Sequence, residues 1–162
     1  IHDALPISSL LILMLLASIS ASAGYAPDSV QIALKKMYPT AAGIAWSQDK
    51  AYYVADFVMN GFDTRVWFTP DAEWVMKQTD WETLDEVPAA VFNAFAASEF
   101  SDGVVQNVTW VQFPEWQPIV AIQVGKPNMQ MKYQILFTPK GEILRQQNIT
   151  NAYNTLGAST FL

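Results

Sequence analysis

The stretches "FTPDAEWVMKQ" (68–78) and "FTPKGEILRQQ" (137–147) decide the fold, because they are two copies of one pattern. Both contain Phe-Thr-Pro, a Glu three residues after the Pro, and apolar residues at the next two positions. They begin 69 residues apart, a spacing typical of a repeated supersecondary unit. A length of 162 residues fits one domain, or two small units that share a core.

The first 23 residues are predicted to be a signal peptide. They contain the apolar run "SSLLILMLLASIS" (8–20) and end in "ASA" (21–23), small residues of the kind that signal peptidase cleaves behind. A membrane span is the weaker alternative, because the run is shorter than the roughly 20 apolar residues that a bilayer requires. We therefore expect an exported protein, periplasmic or secreted.

Composition excludes several classes of function. The chain has no Cys, and its one histidine, His2, precedes the predicted cleavage site, so the exported part cannot build a Ser-His-Asp triad, a Cys-His pair or a His/Cys zinc site. It has neither a P-loop nor a Gly-x-Gly-x-x-Gly motif. A net charge of −6 without a basic run disfavours nucleic acid as a partner. We expect a protein without cofactor or metal that is not an enzyme.

Carboxylates are the remaining candidates for catalysis or calcium binding. Asp80, Glu82, Asp85 and Glu86 cluster in one short stretch that could supply an acid/base pair for a carboxylate-only hydrolase or oxygen ligands for calcium. The stretch lacks the ligand spacing and the Gly of a calcium loop. We favour a solvated linker whose last acids favour the start of the next helix.

The pattern of apolar residues predicts the same order of elements twice. The stretch 27–39 reads as a helix, with Asp28 as its cap and Gln31 completing a capping box. Four strands follow it, and Asn60-Gly61 between the second and third favours a type I′ hairpin. A second helix and four more strands are predicted at 85–100, 104–113, 118–124, 129–137 and 142–149. The fold class is α+β, with two tandem helix-plus-four-strand antiparallel units that form one broad, partly concave sheet.

Alternation along the strands predicts which side chains lie beneath the helices. Because successive residues point to opposite faces, Val66 and Phe68 are expected under the first helix and Ile135 and Phe137 under the second. The second helix should turn Val91, Phe92 and Phe95 inward. The other face of the sheet is then left open, with a mixture of aromatic and polar residues.

That open face is the predicted binding surface, together with the stretch "TWVQFPEWQP" (109–118). Aromatic residues and Arg are favoured anchors of protein interfaces, and prolines reduce the cost of ordering a binding loop. Trp110 and Trp116 also have structural interpretations, as a strand residue and as a cover for the sheet edge. The candidate contacts are Tyr52, Arg65, Trp67, Trp110, Phe113 and Trp116.

Between residues 28 and 149 the chain resembles the PepSY-like, β-lactamase-inhibitor-like family of exported bacterial proteins. The resemblance rests on Tyr38-Pro39 at the first helix end, the strand containing Trp46, Val87-Pro88 at the second helix start, and "LFTPKGE" (136–142). The first copy has Ala72 where the family prefers Gly. The resemblance implies tandem repeats at 24–84 and 85–149, followed by a tail at 150–162 that no pattern places. It also implies a continuous, somewhat concave sheet surface, which the β-lactamase inhibitor proteins use to clamp an enzyme. Because a shared fold does not give a shared function, inhibition of a β-lactamase is not predicted for this chain.

The predicted function is therefore a non-enzymatic periplasmic module that binds or inhibits an envelope protein, such as a peptidase, through its open sheet face. The alternative is a periplasmic sensor that binds a small apolar molecule or a glycan with the same aromatic residues. A deep pocket favours the alternative, and a shallow, wide surface favours the protein partner.

Overall fold

The computed structural model describes residues 25–162, so the predicted signal peptide lies outside the described residues. The elements in chain order are α1 Asp28–Met37, β1 Ala45–Asp49, β2 Tyr52–Met59, β3 Phe62–Phe68, β4 Trp74–Asp80, α2 Ala89–Ala96, β5 Val104–Gln112, β6 Ile119–Lys126, β7 Met131–Phe137, β8 Ile143–Asn148 and α3 Ala158–Phe161. Short 3-10 turns lie at Leu84–Glu86 and Pro127–Met129. Within residues 25–162, no helix is both long and apolar enough to cross a bilayer.

The eight strands form one antiparallel sheet in sequence order, β1 to β8. Each half of the chain therefore contributes a helix and four consecutive strands, which confirms the predicted fold class. The two halves join where β4 pairs with β5, from Lys77 opposite Gln112 to Asp80 opposite Thr109. This junction makes the two faces of the sheet continuous across both halves.

The two copies of the opening pattern fold into the same turn. The backbone N–H of Thr69 donates to the carbonyl of Glu73 at 2.9 Å, and that of Thr138 donates to the carbonyl of Glu142 at 2.8 Å. In each copy the Thr hydroxyl accepts from the Glu backbone N–H. The ladder shifts register just before each turn, at residues 67–68 and again at 136–137. The repeated sequence pattern therefore ends β3 and β7 with the same turn.

Both helices pack on one side of the sheet, which we call the helix face. Under α1, the apolar cluster includes Val30, Leu34, Val66 and Phe68, each 0% exposed. Under α2, a second cluster contains Val91, Phe95, Ile135 and Phe137, among other residues. These clusters confirm the strand faces predicted from alternation.

Two details of the helices were predicted wrongly. The cap of α1 is Pro27, no side chain caps the helix, and Gln31 instead donates to the carbonyl of Ala26 at 2.8 Å. Phe92 is 50% exposed, because α2 presents Val91 and Phe95 to the sheet. At 3.6 residues per turn, Phe92 lies about 100° around the helix from Val91, at the edge of the buried stripe.

The two copies of the turn supply a matched prediction about stability. Ala72 has a φ of 67°, and Gly141 at the equivalent place has a φ of 87°. A residue with a Cβ is strained at positive φ, so Ala72→Gly should raise the free energy of unfolding by about 1 kcal/mol. Chemical denaturation measures this change.

Gly141→Ala is the reciprocal variant. A Cβ there would lie 2.5 Å from the carbonyl oxygen of Ala90, so steric overlap adds to the strain of the positive φ. We expect Gly141→Ala to destabilise the protein by more than Ala72→Gly stabilises it. If the two variants changed the free energy of unfolding by equal amounts in opposite directions, the overlap with Ala90 would be relieved without an energetic cost.

Candidate functional site

The side of the sheet opposite the helices, here called the tail face, is covered by the protein's own C-terminal segment (155–162). Under it lies an apolar cluster of Val54, Trp67, Met76 and Val111, all 4% exposed or less. Phe161 packs against this cluster, and its ring centroid lies 6.1 Å from that of Phe113. The prediction of an open sheet face is therefore corrected over this area.

Three glutamines on the tail face hold the C-terminal segment. Gln134 donates to the carbonyl of Thr155 at 2.9 Å, and Gln123 donates to the Thr155 hydroxyl at 3.0 Å. Gln78 donates to the carbonyl of Leu156. Because buried amides are costly when unpaired, each of these bonds favours the docked position of the segment.

An aspartate on β1 holds the other end of the segment. The Asp49 carboxylate accepts from the backbone N–H of Ala158 at 2.8 Å and from the indole N–H of Trp67 at 2.9 Å. Asp49 thus ties the segment to the aromatic cluster beneath it. The segment crosses both halves of the sheet, since Asp49 and Gln78 belong to the first half and Gln123 and Gln134 to the second.

Trp67 and Trp110 do not lie on the exposed surface predicted for them. Trp67 is only 2% exposed, because the C-terminal segment covers it. Trp110 pairs with Thr79 across the β4–β5 junction and lies on the helix face, where it stacks on Trp81 at 5.0 Å between ring centroids. Neither side chain is available as an exposed contact on an open face in this structure.

The other four predicted contacts are partly or largely exposed. Tyr52 and Arg65 are half-buried on the tail face, and the Arg65 guanidinium lies 5.6 Å from the Trp67 ring centre and donates to the Gln78 side chain at 3.3 Å. Phe113 is half-buried, whereas Trp116 is 78% exposed. The last two lie in the loop between β5 and β6.

That loop forms one wall of a cavity of about 1430 Å³, the rim groove, at the end of the sheet where β3, β5 and β7 finish. Helix α1, the β3–β4 turn, the start of β8 and the C-terminal segment form the other walls. Large apolar side chains that are 45% or more exposed cluster around it: Ile32, Trp116, Leu144 and Leu162. Lys36, Arg145, Glu73 and Glu115 give its walls charges of both signs.

An exposed apolar cluster of this kind marks an interaction site. The rim groove is therefore the best candidate functional site in the described part of the chain. Of the predicted contacts it contains Phe113 and Trp116, and the structure does not bring the other four into it.

A group of carboxylates occupies another part of the tail face. Burial is the main cause that raises the pKa of Asp56 to about 6, with a hydrogen bond and like charge from Asp63 adding to it and the charge of Arg65 opposing it. Burial also raises the pKa of Asp80.

The predicted linker acids do not converge into a site. Glu82, Asp85 and Glu86 are exposed, and Asp80 accepts the Glu82 backbone N–H at 3.0 Å in a local turn. No three acidic or histidine side chains among residues 25–162 are arranged to hold a metal ion.

The sequence did not indicate the residues that hold the C-terminal segment, and only weakly indicated two residues of the rim groove. Asp49, Gln78, Gln123 and Gln134 are polar residues at outward strand positions, which alternation alone assigns to solvent or to a partner. Ile32 and Leu144 gave a weak signal, as apolar residues outside the predicted buried faces. No local pattern indicates that residues 155–162 return to cover the sheet.

Comparison with known proteins places the chain among solved bacterial structures. A protein from Bacteroides eggerthii, provisionally described as periplasmic, is 99% identical, with 86% of this chain and 100% of that chain covered and a TM-score of 0.85. A DUF2874 family protein from Bacteroides uniformis is 72% identical over 85% of this chain and 100% of its own, with a TM-score of 0.84. A BLIP-like protein from Bacteroides fragilis is 34% identical over 82% of this chain and 94% of its own, with a TM-score of 0.73.

These similarities define the class of protein: an α+β protein with the BLIP-like fold. The chain belongs to the DUF2874 family. Neither a protein-family profile nor a curated protein matches the sequence. The resemblance to a β-lactamase-inhibitor-like fold is thereby confirmed at the level of the fold.

Trp67 gives a prediction that separates a core residue from a surface contact. Trp67→Ala should lower the free energy of unfolding by about 3–5 kcal/mol, since it leaves a cavity under the C-terminal segment. Trp67→Phe is the matched control, because it keeps an aromatic ring and loses the hydrogen bond to Asp49. Trp67→Phe should lower the free energy of unfolding by about 1 kcal/mol more than the smaller side chain alone would, because the hydrogen bond is lost. If Trp67→Ala unfolds at the wild-type denaturant concentration, the side chain is not part of the core.

Asp56 gives a prediction about pH. The folded pKa of Asp56, about 6, lies above its ordinary value of 3.8, so the folded state binds more protons than the unfolded state between these values. The protonated Asp56 side chain therefore stabilises the folded protein at low pH, and this stabilisation is lost as the pH rises from about 4 to about 6. Asp56→Asn mimics the protonated side chain, so it should stabilise the protein at pH 7 and have little effect near pH 4. The measurement is the midpoint of thermal unfolding of both proteins as a function of pH. If the difference between the two midpoints stayed constant across this range, the raised pKa of Asp56 would be contradicted.

Proposed function

We propose that this protein is a non-enzymatic binding module of the bacterial envelope that captures an apolar segment of a protein partner in the rim groove. The observation that carries the proposal is the clustering of exposed Ile32, Trp116, Leu144 and Leu162 around one cavity. The open-face interface expected from the sequence moves to this end of the sheet, because the C-terminal segment occupies much of the tail face.

A protein partner fits the dimensions and the chemistry of the groove. Pockets for small ligands measure roughly 300–1,000 Å³, and the groove, at about 1430 Å³, is larger. Its apolar floor and mixed charges match the apolar centre and polar rim of protein interfaces. Trp and Arg, here Trp116 and Arg145, are the residues most enriched among interface anchors. The similarity to a BLIP-like protein supports the same class of partner.

An envelope location follows from two supports. Residues 1–23 have the features of a signal peptide, and a near-identical protein is provisionally described as periplasmic. The partner we propose is an envelope protein, such as a peptidase or another envelope enzyme. We further propose that the halves at 24–84 and 85–149 are tandem copies of a PepSY-like unit, because each has the same turn and the same order of elements.

The second candidate function is the capture of a small apolar molecule or a glycan. It is favoured by the half-buried aromatic side chains in the walls of the groove, Trp74 and Phe113. Stacking on such rings would suit a lipid-like or sugar ligand. A ligand of this kind would remain with the purified protein in native mass spectrometry, whereas a protein partner would be captured only from an extract.

Capture with matched variants tests the proposal. The chain from residue 24 onward is immobilised, and a Bacteroides envelope extract is passed over it. Trp116→Ala should weaken retention of a specific partner about tenfold or more, as expected for an interface anchor. Tyr153→Ala is the control, because Tyr153 is also an exposed aromatic residue, at 95%, but lies outside the groove.

The two variants should unfold at the wild-type temperature, because both side chains are largely exposed. A partner that Trp116→Ala releases and Tyr153→Ala retains supports the groove. Equal retention by both variants, or equal loss, would contradict it.

A further inference from the structure

The C-terminal segment is bound to the tail face mainly through its own backbone. The carbonyls of Thr155 and Leu156 accept from Gln134 and Gln78, and the N–H of Ala158 donates to Asp49 at 2.8 Å. Only the contact of Gln123 with Thr155 involves a side chain of the segment among these four bonds. The segment, a turn followed by the short helix α3, is thus held by backbone hydrogen bonds, while the side chains of Ala158 and Phe161 pack against the sheet, the division of roles seen in peptide-binding sites.

The receiving side chains are organised by the body of the protein. Gln123 donates to Gln134 at 2.8 Å, and Arg65 donates to Gln78 at 3.3 Å. Asp49 is held by the Trp67 indole at 2.9 Å. Each receiving group thus has a partner besides the segment, so the site is oriented before a segment occupies it.

The segment is joined to the body by an exposed linker. Ile149 is 3% exposed and anchors the end of the body, whereas residues 150–154 are all exposed and Tyr153 is 95% exposed. Beyond the linker, Gly157 and Ala158 are buried again, and Phe161 reaches the Phe113 ring. A buried peptide on an exposed tether is the arrangement in which an element is exchanged between copies at low cost, because only the linker must change conformation.

We propose that the tail face is a peptide-binding site that takes the C-terminal segment of a second copy of this chain as well as its own, and so forms an exchanged dimer. The second copy is the occupant because it supplies the same residues to the same glutamines and to Asp49, and every contact is reproduced. The site requires small side chains where Gly157 and Ala158 are seated and an aromatic ring at the position of Phe161. This inference does not depend on the occupant of the rim groove.

Complementation between two full-length variants tests the exchange. Ala158→Trp is defective as a donor, since Ala158 is 1% exposed and a large ring cannot be seated there. The double variant Gln78→Glu, Gln134→Glu is defective as a receiver, because its carboxylates cannot donate to the segment carbonyls and repel them. Arg65 lies beside residue 78 and forms an ion pair with the new carboxylate there, which reduces the loss of stability of the folded protein.

Native mass spectrometry distinguishes the two variants by mass. In a mixture, we expect a heterodimer that exceeds either homodimer about tenfold or more, because one variant contributes an intact site and the other an intact segment. A mixture that remains monomeric, with both variants folded by circular dichroism, would overturn the proposal. So would equal amounts of the three dimers.

A linker variant decides the matter if Ala158→Trp does not fold. Deletion of Ala152 and Tyr153 leaves both the segment and the site intact but shortens the tether. The segment should then reach only the neighbouring copy, and light scattering should report a dimer. A folded monomer would overturn the proposal. Trp116→Ala changes the rim groove and not the tail face, so it should form the exchanged dimer to the same extent as the wild type. Failure of the groove proposal can therefore be recognised separately from failure of the exchange.

Discussion

The pairing of β4 with β5 is the interaction on which the rest of the structure depends. Four residue pairs, from Lys77–Gln112 to Asp80–Thr109, join two four-stranded halves into one sheet. Without this junction each half would have a second exposed edge strand, β4 or β5, in addition to β1 or β8, and an exposed edge is a template for unwanted association. With it, the helices cover one continuous face and the C-terminal segment can span both halves of the other.

The tail face shows how polar residues become part of a folded interior. Gln78 and Gln134 are 1% and 2% exposed, and both donate to carbonyls of the C-terminal segment. A buried amide without a partner costs about 1–3 kcal/mol, and among residues 25–162 no buried side-chain nitrogen or oxygen lacks a hydrogen-bond partner. Closing this face leaves the rim groove as a wide apolar opening lined by Trp116, and so shifts the candidate interface from the face of the sheet to its end.

Much of the fold was predictable because its signals are local. Runs of aromatic and β-branched residues bounded by turns identified all eight strands. The positive φ angles of Asn60 and Gly61, at 54° and 82°, agree with the predicted hairpin. The duplicated Phe-Thr-Pro turn gave the order of elements, since the same side chains make the same hydrogen bonds in both copies. Helix details were less reliable: Asp28 does not cap α1, and Phe92 does not face the sheet.

The candidate site was predictable only in part, because its determinants are distant in sequence. Trp116 was found from the unusual composition of its loop. Trp110 was misplaced because its face depends on the register between β5 and β4, and a shift of one residue reverses every side chain of a strand. Trp67 lies on the predicted face of the sheet, but its burial was missed because its cover, Ala158 and its neighbours, comes from about 90 residues further along the chain. No periodicity in 150–162 reports that contact.

The central claim is that the protein's own C-terminal segment closes the tail face, and hydrogen exchange of the Ala158 backbone amide tests it most directly. This amide donates to the Asp49 carboxylate at 2.8 Å, and Ala158 is buried. We expect this amide to exchange far more slowly than the amide of Tyr153 in the exposed linker, and we expect Asp49→Ala to remove most of the difference. Exchange of the two amides at similar rates in the wild-type protein would show that the tail face is open in solution.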